Sequence, residues 1–245
     1  MPRERLDKIM VDRGLAQSRE RAKALVMAGG VTVNGMPALK PGALVDAEAA
    51  VALKKDDIPF VGRGGLKLDA ALARFGVDPG GKTAMDIGCS TGGFTDCLLQ
   101  KGADRVYAVD VGYGQFDWTL RSDPRVVLME KTNIRHLPRE AVPESVDLVV
   151  IDVSFISLEK VLPKALEFLA ARGEIIALIK PQFEVGRGMV DKGGIVRDGE
   201  QHRAVTERIA AFAGSLGLTV AGIMQSPVLG QKGNREFLIH LRRES

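Results

Sequence analysis

The chain has 245 residues, enough for one large domain or for a large and a small domain, with a sizeable core. Its 34 basic and 31 acidic residues nearly balance, which excludes a polycation that binds nucleic acid through net charge alone. Two cysteines exclude a disulfide framework. Because there is no signal peptide and no run near ~20 apolar residues, we expect a cytoplasmic protein without a membrane span.

The amino-terminal segment has an excess of positive charge, with eight Lys or Arg against four acids in residues 1–40. Apolar spacing predicts a helix over residues 5–13, and Ser18 is a good N-cap for a second helix over 19–28. A short strand over 31–33 then leads into an Asn-Gly turn. Two short helices and a hairpin predict a small α+β unit.

This segment resembles the S4 RNA-binding domain in Arg5-Leu6-Asp7, Gly14, Ser18-Arg19, Ala22, Leu25, Gly29-Gly30-Val31-Thr32-Val33-Asn34-Gly35 and Pro41. The resemblance implies docking on structured RNA, since basic side chains neutralise phosphates and follow the shape of a helix. It assigns the RNA contacts to Arg5, Ser18, Arg19, Lys23, Asn34 and Lys40. The alternative is a solvated charged face. A change of composition then predicts an S4-like domain over 1–58, a linker over 59–62 and a second domain over 63–245.

A glycine loop follows the first predicted strand of the second domain. The strand over 83–87 runs into Gly88-Cys89-Ser90-Thr91-Gly92-Gly93, a helix over 94–101 follows, and the next strand ends at Asp110. Glycines let a ligand approach the backbone, and an acid after the second strand can accept both ribose hydroxyls. The spacing fits neither the dinucleotide fingerprint nor a P-loop, but it fits an adenosine cofactor.

The loop resembles motif I of the S-adenosylmethionine-dependent methyltransferases, particularly the FtsJ-like (RrmJ) group, which methylates ribose. The resemblance implies the Rossmann-like class I methyltransferase fold and S-adenosylmethionine as cofactor. It places the cofactor against Asp86, Gly88, Ser90, Gly92, Gly93, Phe94, Asp110, Thr132, Asn133 and Asp152.

Asp152 and Lys180 are charges at the ends of strands that otherwise read as fully apolar, over residues 146–152 and 175–180. Such strands suit the centre of a parallel sheet, whose carboxyl ends face the ligand crevice. We therefore expect both side chains to point into a site. A carboxylate beside a partly desolvated lysine is suited to proton transfer.

The FtsJ-like resemblance adds two residues to this pair and implies a catalytic tetrad of Lys67, Asp152, Lys180 and Glu236. A ribose 2'-hydroxyl needs a base, and Lys180 is the candidate. The neighbouring cation Lys67 and desolvation would favour the neutral amine, while Asp152 and Glu236 would orient it. No metal is required. Cys89 as a nucleophile is the alternative, and His136, His202 and His240 are scattered residues without a triad.

The remaining pattern predicts a mostly parallel seven-stranded sheet with helices on both faces. Further elements are a helix over 65–75, a strand over 126–129, helices over 158–170 and 201–216, and final strands over 219–226 and 236–242, the last antiparallel. The loop between Pro181 and Glu200 is rich in glycine and basic residues, and we expect a lid that orders on RNA, with a floppy connection as the alternative.

The two domains together, with Ser154-Phe155-Ile156-Ser157 and Lys180-Pro181-Gln182-Phe183-Glu184, resemble the TlyA family. That family, often labelled haemolysin A, is implied to methylate cytidine 2'-hydroxyls in the ribosomal RNA of the large subunit and, in some members, of the small subunit. Two alternatives remain. A membrane-lytic haemolysin would need an insertion segment, and a non-enzymatic RNA-binding or assembly factor would have no need of Asp152 and Lys180.

Overall fold

The computed structural model describes residues 3–16, 18–27, 30–38, 40–53, 58–185 and 194–243. The chain divides into two compact units, residues 1–59 and 60–245. The linker over 59–62 stays a prediction, although Phe60 is buried in a core cluster of the second unit and the Val61 amide donates to Asp96. Part of the predicted lid, residues 186–193, lies outside the described residues.

The first unit has the predicted pair of helices and the hairpin. Its helices are α1 (Leu6–Asp12) and α2 (Arg19–Met27), and they pack around Leu6, Met10 and Val26. Its strands are β1 (Arg3–Arg5), β2 (Val31–Val33), β3 (Met36–Pro37), β4 (Leu44–Asp46) and β5 (Val51–Leu53). They form a β1-β4 pair and a small β3-β2-β5 sheet.

The second unit is a layered α/β domain. Its strands are β6 (Thr83–Ile87), β7 (Arg105–Val109), β8 (Val126–Met129), β9 (Val146–Ile151), β10 (Leu169–Ile179), β11 (Leu218–Gln225) and β12 (Phe237–Arg243). Its helices are α3 (Gly64–Phe75), α4 (Gly93–Gln100), α5 (Trp118–Arg121), α6 (Leu162–Phe168), α7 (Pro181–Glu184) and α8 (Gly199–Ser215). The strand order is β11-β12-β10-β9-β6-β7-β8, and β12 is antiparallel to both of its neighbours. The predicted seven-stranded, mostly parallel sheet is confirmed.

The central strand β9 shows why this sheet forms. Val149 and Ile151 pack into one core cluster, and Leu148 and Val150 pack into the cluster on the other face. Alternation with a period of two therefore buries both faces, as expected for a strand covered by helices on each side. Because β6, β7, β9 and β10 are paired in parallel, their carboxyl ends lie along one edge of the sheet.

Two predicted elements are wrong in their bounds. The strand predicted over 175–180 begins six residues earlier, since β10 is Leu169–Ile179. The helix predicted over 158–170 is a 3₁₀ turn, Leu158–Lys160, followed by the separate helix α6, and residues from Leu169 onward belong to β10. Pro163 lacks an amide hydrogen and stands at the start of α6, where proline is tolerated, so the helix begins anew there. Among the described residues, no helix is both long and apolar enough to cross a membrane.

Candidate active site

The four residues of the predicted tetrad line one cavity of about 270 Å³. Lys67 comes from α3, Asp152 and Lys180 follow the adjacent strands β9 and β10, and Glu236 directly precedes β12. The fold therefore brings four distant parts of the sequence to the carboxyl edge of the sheet.

The tetrad forms two ion pairs. Lys180 Nζ lies 2.6 Å from Asp152 Oδ1 and donates to Ser154 Oγ at 3.0 Å. Lys67 Nζ donates to Glu236 Oε2 at 2.6 Å. Both lysines are buried, and burial of a charge is tolerated where the charge is paired and hydrogen-bonded. Asp152 and Ser154, rather than Glu236, are therefore the groups that orient the Lys180 amine.

A second, larger cavity of about 1000 Å³ adjoins the tetrad. It is lined by six of the residues that the sequence assigned to the cofactor, namely Gly88, Ser90, Asp110, Thr132, Asn133 and Asp152. The other four, Asp86, Gly92, Gly93 and Phe94, do not line it. Five residues line both cavities: Gly88, Ser90, Asp152, Ser154 and Phe183. The two spaces thus meet at Asp152.

The glycine loop has the conformation that glycine alone adopts readily. Gly88 has a φ of +88°, and a Cβ there would lie 2.6 Å from the backbone oxygen of Asp152. Gly92 has a φ of +97° and packs against the side chain of Leu120. A side chain at Gly88 would therefore push the loop away from the Asp152 segment and separate the two cavities.

Asp110 fixes the rim of the larger cavity. Its carboxylate accepts the backbone N–H groups of Ser90 at 2.8 Å and Gly112 at 2.6 Å. An ionised carboxylate has about four acceptor sites, so these two bonds leave capacity for ligand hydroxyls. The geometry fits the predicted contact with a ribose.

Asp86 lies behind the loop and is fully buried. Its Oδ2 accepts the Thr95 hydroxyl at 2.7 Å, while its Oδ1 has no hydrogen-bond partner among the described residues. Burial, together with the charges of Asp152 and Asp110, raises the pKa of Asp86 to about 7. This carboxyl is therefore a group that titrates close to neutrality at the base of the site.

Cys89, the alternative nucleophile, does not line either cavity. Burial raises the pKa of its thiol far above the ordinary value, and the reactive form of cysteine is the thiolate. The structure gives this alternative no support. Among the described residues, no cluster of three or more His, Cys, Asp or Glu side chains could hold a metal ion.

Phe155, expected from the sequence only as part of a family motif, lines the larger cavity. Its side chain is 87% exposed, its φ is +63°, and its ring lies 4.8 Å from the ring of Phe183. The Phe183 ring lies 6.0 Å from Lys180 Nζ. The signal in the sequence that could have identified Phe155 as a site residue is its position three residues after Asp152, just beyond the carboxyl end of the central strand β9.

The predicted RNA-binding residues of the first unit are partly engaged in internal contacts. Arg5 and Arg19 both pair with the buried carboxylate of Asp7, at 2.8 and 3.1 Å. The Ser18 hydroxyl accepts the backbone N–H of Arg21, which caps α2. Two further residues complete the set: Asn34 accepts the Ala50 amide, and the Lys23 ammonium lies near Glu20. Lys40 is exposed.

A Rossmann-like sheet, a glycine loop after its first strand and a lysine–carboxylate site beside that loop together define a methyltransferase. Residues 60–243 match the FtsJ-like methyltransferase family, and residues 4–51 match the S4 domain.

Several known proteins are similar over nearly the whole chain. The 16S/23S rRNA (cytidine-2'-O)-methyltransferase TlyA of Mycobacterium tuberculosis is 45% identical, over 99% of this chain and 91% of that protein. Hemolysin A of Brachyspira hyodysenteriae is 39% identical, over 96% of this chain and 98% of that protein. The solved structure of a presumed hemolysin from Streptococcus thermophilus superposes with a TM-score of 0.77, at 45% identity, over 100% of this chain and 90% of that one. The chain belongs to the TlyA family, and the predicted resemblance is confirmed.

Proposed function

We propose that this protein transfers a methyl group from S-adenosylmethionine to the 2'-hydroxyl of a cytidine in ribosomal RNA. Large-subunit RNA is the first candidate substrate, and small-subunit RNA is the second. The observation that carries the proposal is the Lys180–Asp152 ion pair at the junction of the two cavities. Ribosomal RNA as substrate would place the protein in the cytoplasm.

The larger cavity suits S-adenosylmethionine in size and charge. About 1000 Å³ is the upper end of the range for small-molecule sites, and the lining carries the acids Asp110 and Asp152 together with the bases Arg135 and Lys160, which suits a ligand with both a positive sulfur and a carboxylate. Asp110 would accept the ribose hydroxyls, Gly88 and Ser90 would face the methionine end, and Thr132 and Asn133 would lie near the adenine. The bound cofactor would supply a methyl group on a positively charged sulfur.

In this proposal Lys180 takes the proton from the ribose 2'-hydroxyl. The amine must be neutral when the hydroxyl arrives, and Asp152 and Ser154 fix its direction through contacts of 2.6 and 3.0 Å. Lys67 and Glu236 neutralise each other's charge in the wall of the same cavity. No step of this proton transfer requires a metal.

Two features support RNA as the acceptor. The exposed ring of Phe155, backed by Phe183, offers a face on which an unstacked base could lie, and aromatic side chains commonly hold splayed bases in RNA complexes. In the first unit, the guanidinium groups of Arg5 and Arg19 are half exposed and suited to phosphates.

The test is methyl transfer to purified large and small ribosomal subunits, with labelled S-adenosylmethionine and mapping of the product by its resistance to alkaline cleavage. Lys180→Ala removes the amine. Lys180→Arg is the matched control, because it keeps the positive charge in a side chain that does not give up its proton.

We expect the wild type to label a cytidine, and both variants to lose about 10²- to 10⁴-fold in kcat while cofactor binding by calorimetry persists. An active Lys180→Arg would show that Lys180 is not the base. If the wild type binds the cofactor but transfers to neither subunit, the substrate is another RNA or the protein is a binding factor. Erythrocyte lysis is measured alongside, since relatives are named hemolysin, and we expect none.

A further inference from the structure

Glu184 is a buried carboxylate that the tetrad does not include. It ends α7, the short helix that begins directly after Lys180. Its Oε1 accepts the backbone N–H of Leu158 at 2.8 Å, and its Oε2 accepts the Ser157 hydroxyl at 2.7 Å. Arg208 of α8 donates to its Oε2 at 3.3 Å and to its backbone oxygen at 2.7 Å. A buried carboxylate is retained only where such bonds offset its desolvation.

These bonds join the two segments that bear the Lys180–Asp152 pair. Ser157 and Leu158 end the loop that begins at Asp152, and Glu184 ends the helix that begins after Lys180. The segments contact each other at the base through that ion pair, in the middle through the Phe155 and Phe183 rings, and at the far end through Glu184. Glu184 therefore supplies the last of three contacts that hold the two segments together around the acceptor side of the cavity.

The backbone of the loop between Asp152 and Leu158 needs such a restraint. Phe155 has a φ of +63°, a left-handed conformation that is unfavourable for a bulky residue and persists only where the surrounding contacts determine it. Because the Phe155 side chain is largely exposed, its own packing provides little of that restraint. The bonds from Glu184 to Ser157 and Leu158, two and three residues further along the same loop, are contacts that can provide it.

We propose that Glu184 is a positioning residue for methyl transfer, which holds the Lys180 amine and the Phe155 ring in register for the acceptor nucleotide. The proposal rests on the methyltransferase function proposed above. Glu184 itself lines neither cavity. It would act through its bonds to Ser157 and Leu158. Arg208 compensates its charge, which opposes the rise in the pKa of Glu184 that burial causes.

The test compares Glu184→Ala with Glu184→Gln and with a control of similar instability. Glutamine keeps the links without the charge, because its carbonyl can accept the Leu158 amide and its NH₂ can donate to the Ser157 hydroxyl oxygen. Leu169→Ala is the control: it opens a core site at the opposite end of β10 from Lys180. Melting temperatures are measured first, so that kinetics are compared at equal folded fractions.

We expect Glu184→Ala to lose about 10- to 100-fold in kcat on the subunit that the wild type methylates, with KM for the cofactor within about 2-fold, as a misplacement near 1 Å would produce. Glu184→Gln should stay within about 5-fold of the wild type, and Leu169→Ala should keep kcat. If Glu184→Ala does not fold, Ser157→Ala, which removes one of the two links and keeps the carboxylate, should lose kcat by a smaller factor, with the same unchanged KM.

The outcomes are distinct. Unchanged kcat in Glu184→Ala, or an equal loss in Leu169→Ala at matched stability, overturns the positioning role while leaving the proposed function intact. A wild type that transfers no methyl group overturns the proposed function and this inference with it. A kcat loss that glutamine restores and the core control does not show supports the positioning role.

Discussion

The buried pair of Lys67 and Glu236 allows stability and catalysis to be tested separately. The atoms Lys67 Nζ and Glu236 Oε2 lie 2.6 Å apart, and the two side chains are only 10% and 2% exposed. Gly230 packs directly against the Glu236 carboxylate, at a position where any Cβ would overlap it. Lys67→Met therefore leaves an unpaired buried charge. We expect a loss of about 3–5 kcal/mol in the free energy of unfolding, a large part of the ~5–15 kcal/mol of an ordinary domain.

The assay is urea unfolding at pH 7 followed by circular dichroism, for Lys67→Met, Glu236→Leu and the double variant. Replacement of both members of a buried ion pair by apolar side chains is often neutral, so the double variant should recover most of the lost stability. Methyl transfer should be lost in all three variants, since each lacks at least one of the two charges in the wall of the cavity. Single variants as stable as the wild type, or a double variant that regains transfer, would refute this reasoning.

Three further predictions concern buried groups. The pKa of Asp86 is raised from 3.8 to about 7. Between pH 3.8 and about 7 the native protein therefore keeps a proton that the unfolded chain has lost, so the free energy of unfolding falls as pH rises through this window. The free energy of unfolding of the wild type, measured in urea relative to that of Asp86→Asn, should be about 3 kcal/mol lower at pH 8 than at pH 5. The same difference between wild type and variant at both pH values would contradict this. The hydrogen bond from Arg5, followed by the contacts of Arg19, holds the pKa of Asp7 well below its usual range. Asp7→Asn removes a negative charge, yet RNA affinity in filter binding should fall about 10-fold because two guanidinium groups lose their orientation; an increase would show that charge outweighs geometry. Burial raises the pKa of Cys97 to about 12, so its thiol should react with a disulfide reagent at pH 8 on the order of 100-fold more slowly in the native protein than in urea, and equal rates would show an accessible thiolate.

The sheet and its order of elements could be predicted because the central strands of the second unit are apolar on both faces. The strand β9 is the clearest case, with a run of aliphatic residues that ends abruptly at Asp152. The short strands β1, β4 and β5 of the first unit were missed, since two or three residues carry no periodicity. The break before α6 was missed because the apolar spacing continues through it.

The members of the tetrad could be predicted, but their pairing could not. From the sequence, both Asp152 and Glu236 are expected to orient Lys180, whereas the structure pairs Glu236 with Lys67. Partner choice depends on which strand ends face each other across the cavity, and that is a property of the three-dimensional sheet. Glu184 and Ser157 each belong to a motif that carries the family resemblance, but their contact could not be predicted for the same reason, since they are 27 residues apart in the chain.

The carboxylates at the carboxyl edge of the sheet fit the charge of the proposed methyl donor. Asp86 lies one residue before the end of β6, Asp110 and Asp152 directly follow the neighbouring strands β7 and β9, and these two carboxylates each raise the pKa of Asp86. Such repulsion disfavours the ionised form of Asp86 until a cation lies near the three carboxylates. Lys180 pairs with Asp152 on the acceptor side, and the larger cavity is lined by the acids Asp110 and Asp152 together with the bases Arg135 and Lys160. Its attraction for a cation is therefore local to the Asp110 and Asp152 carboxylates. A sulfonium donor would relieve that repulsion, whereas the demethylated product, which has lost the sulfonium charge, would not. The same electrostatics would therefore favour exchange of product for fresh donor after each transfer.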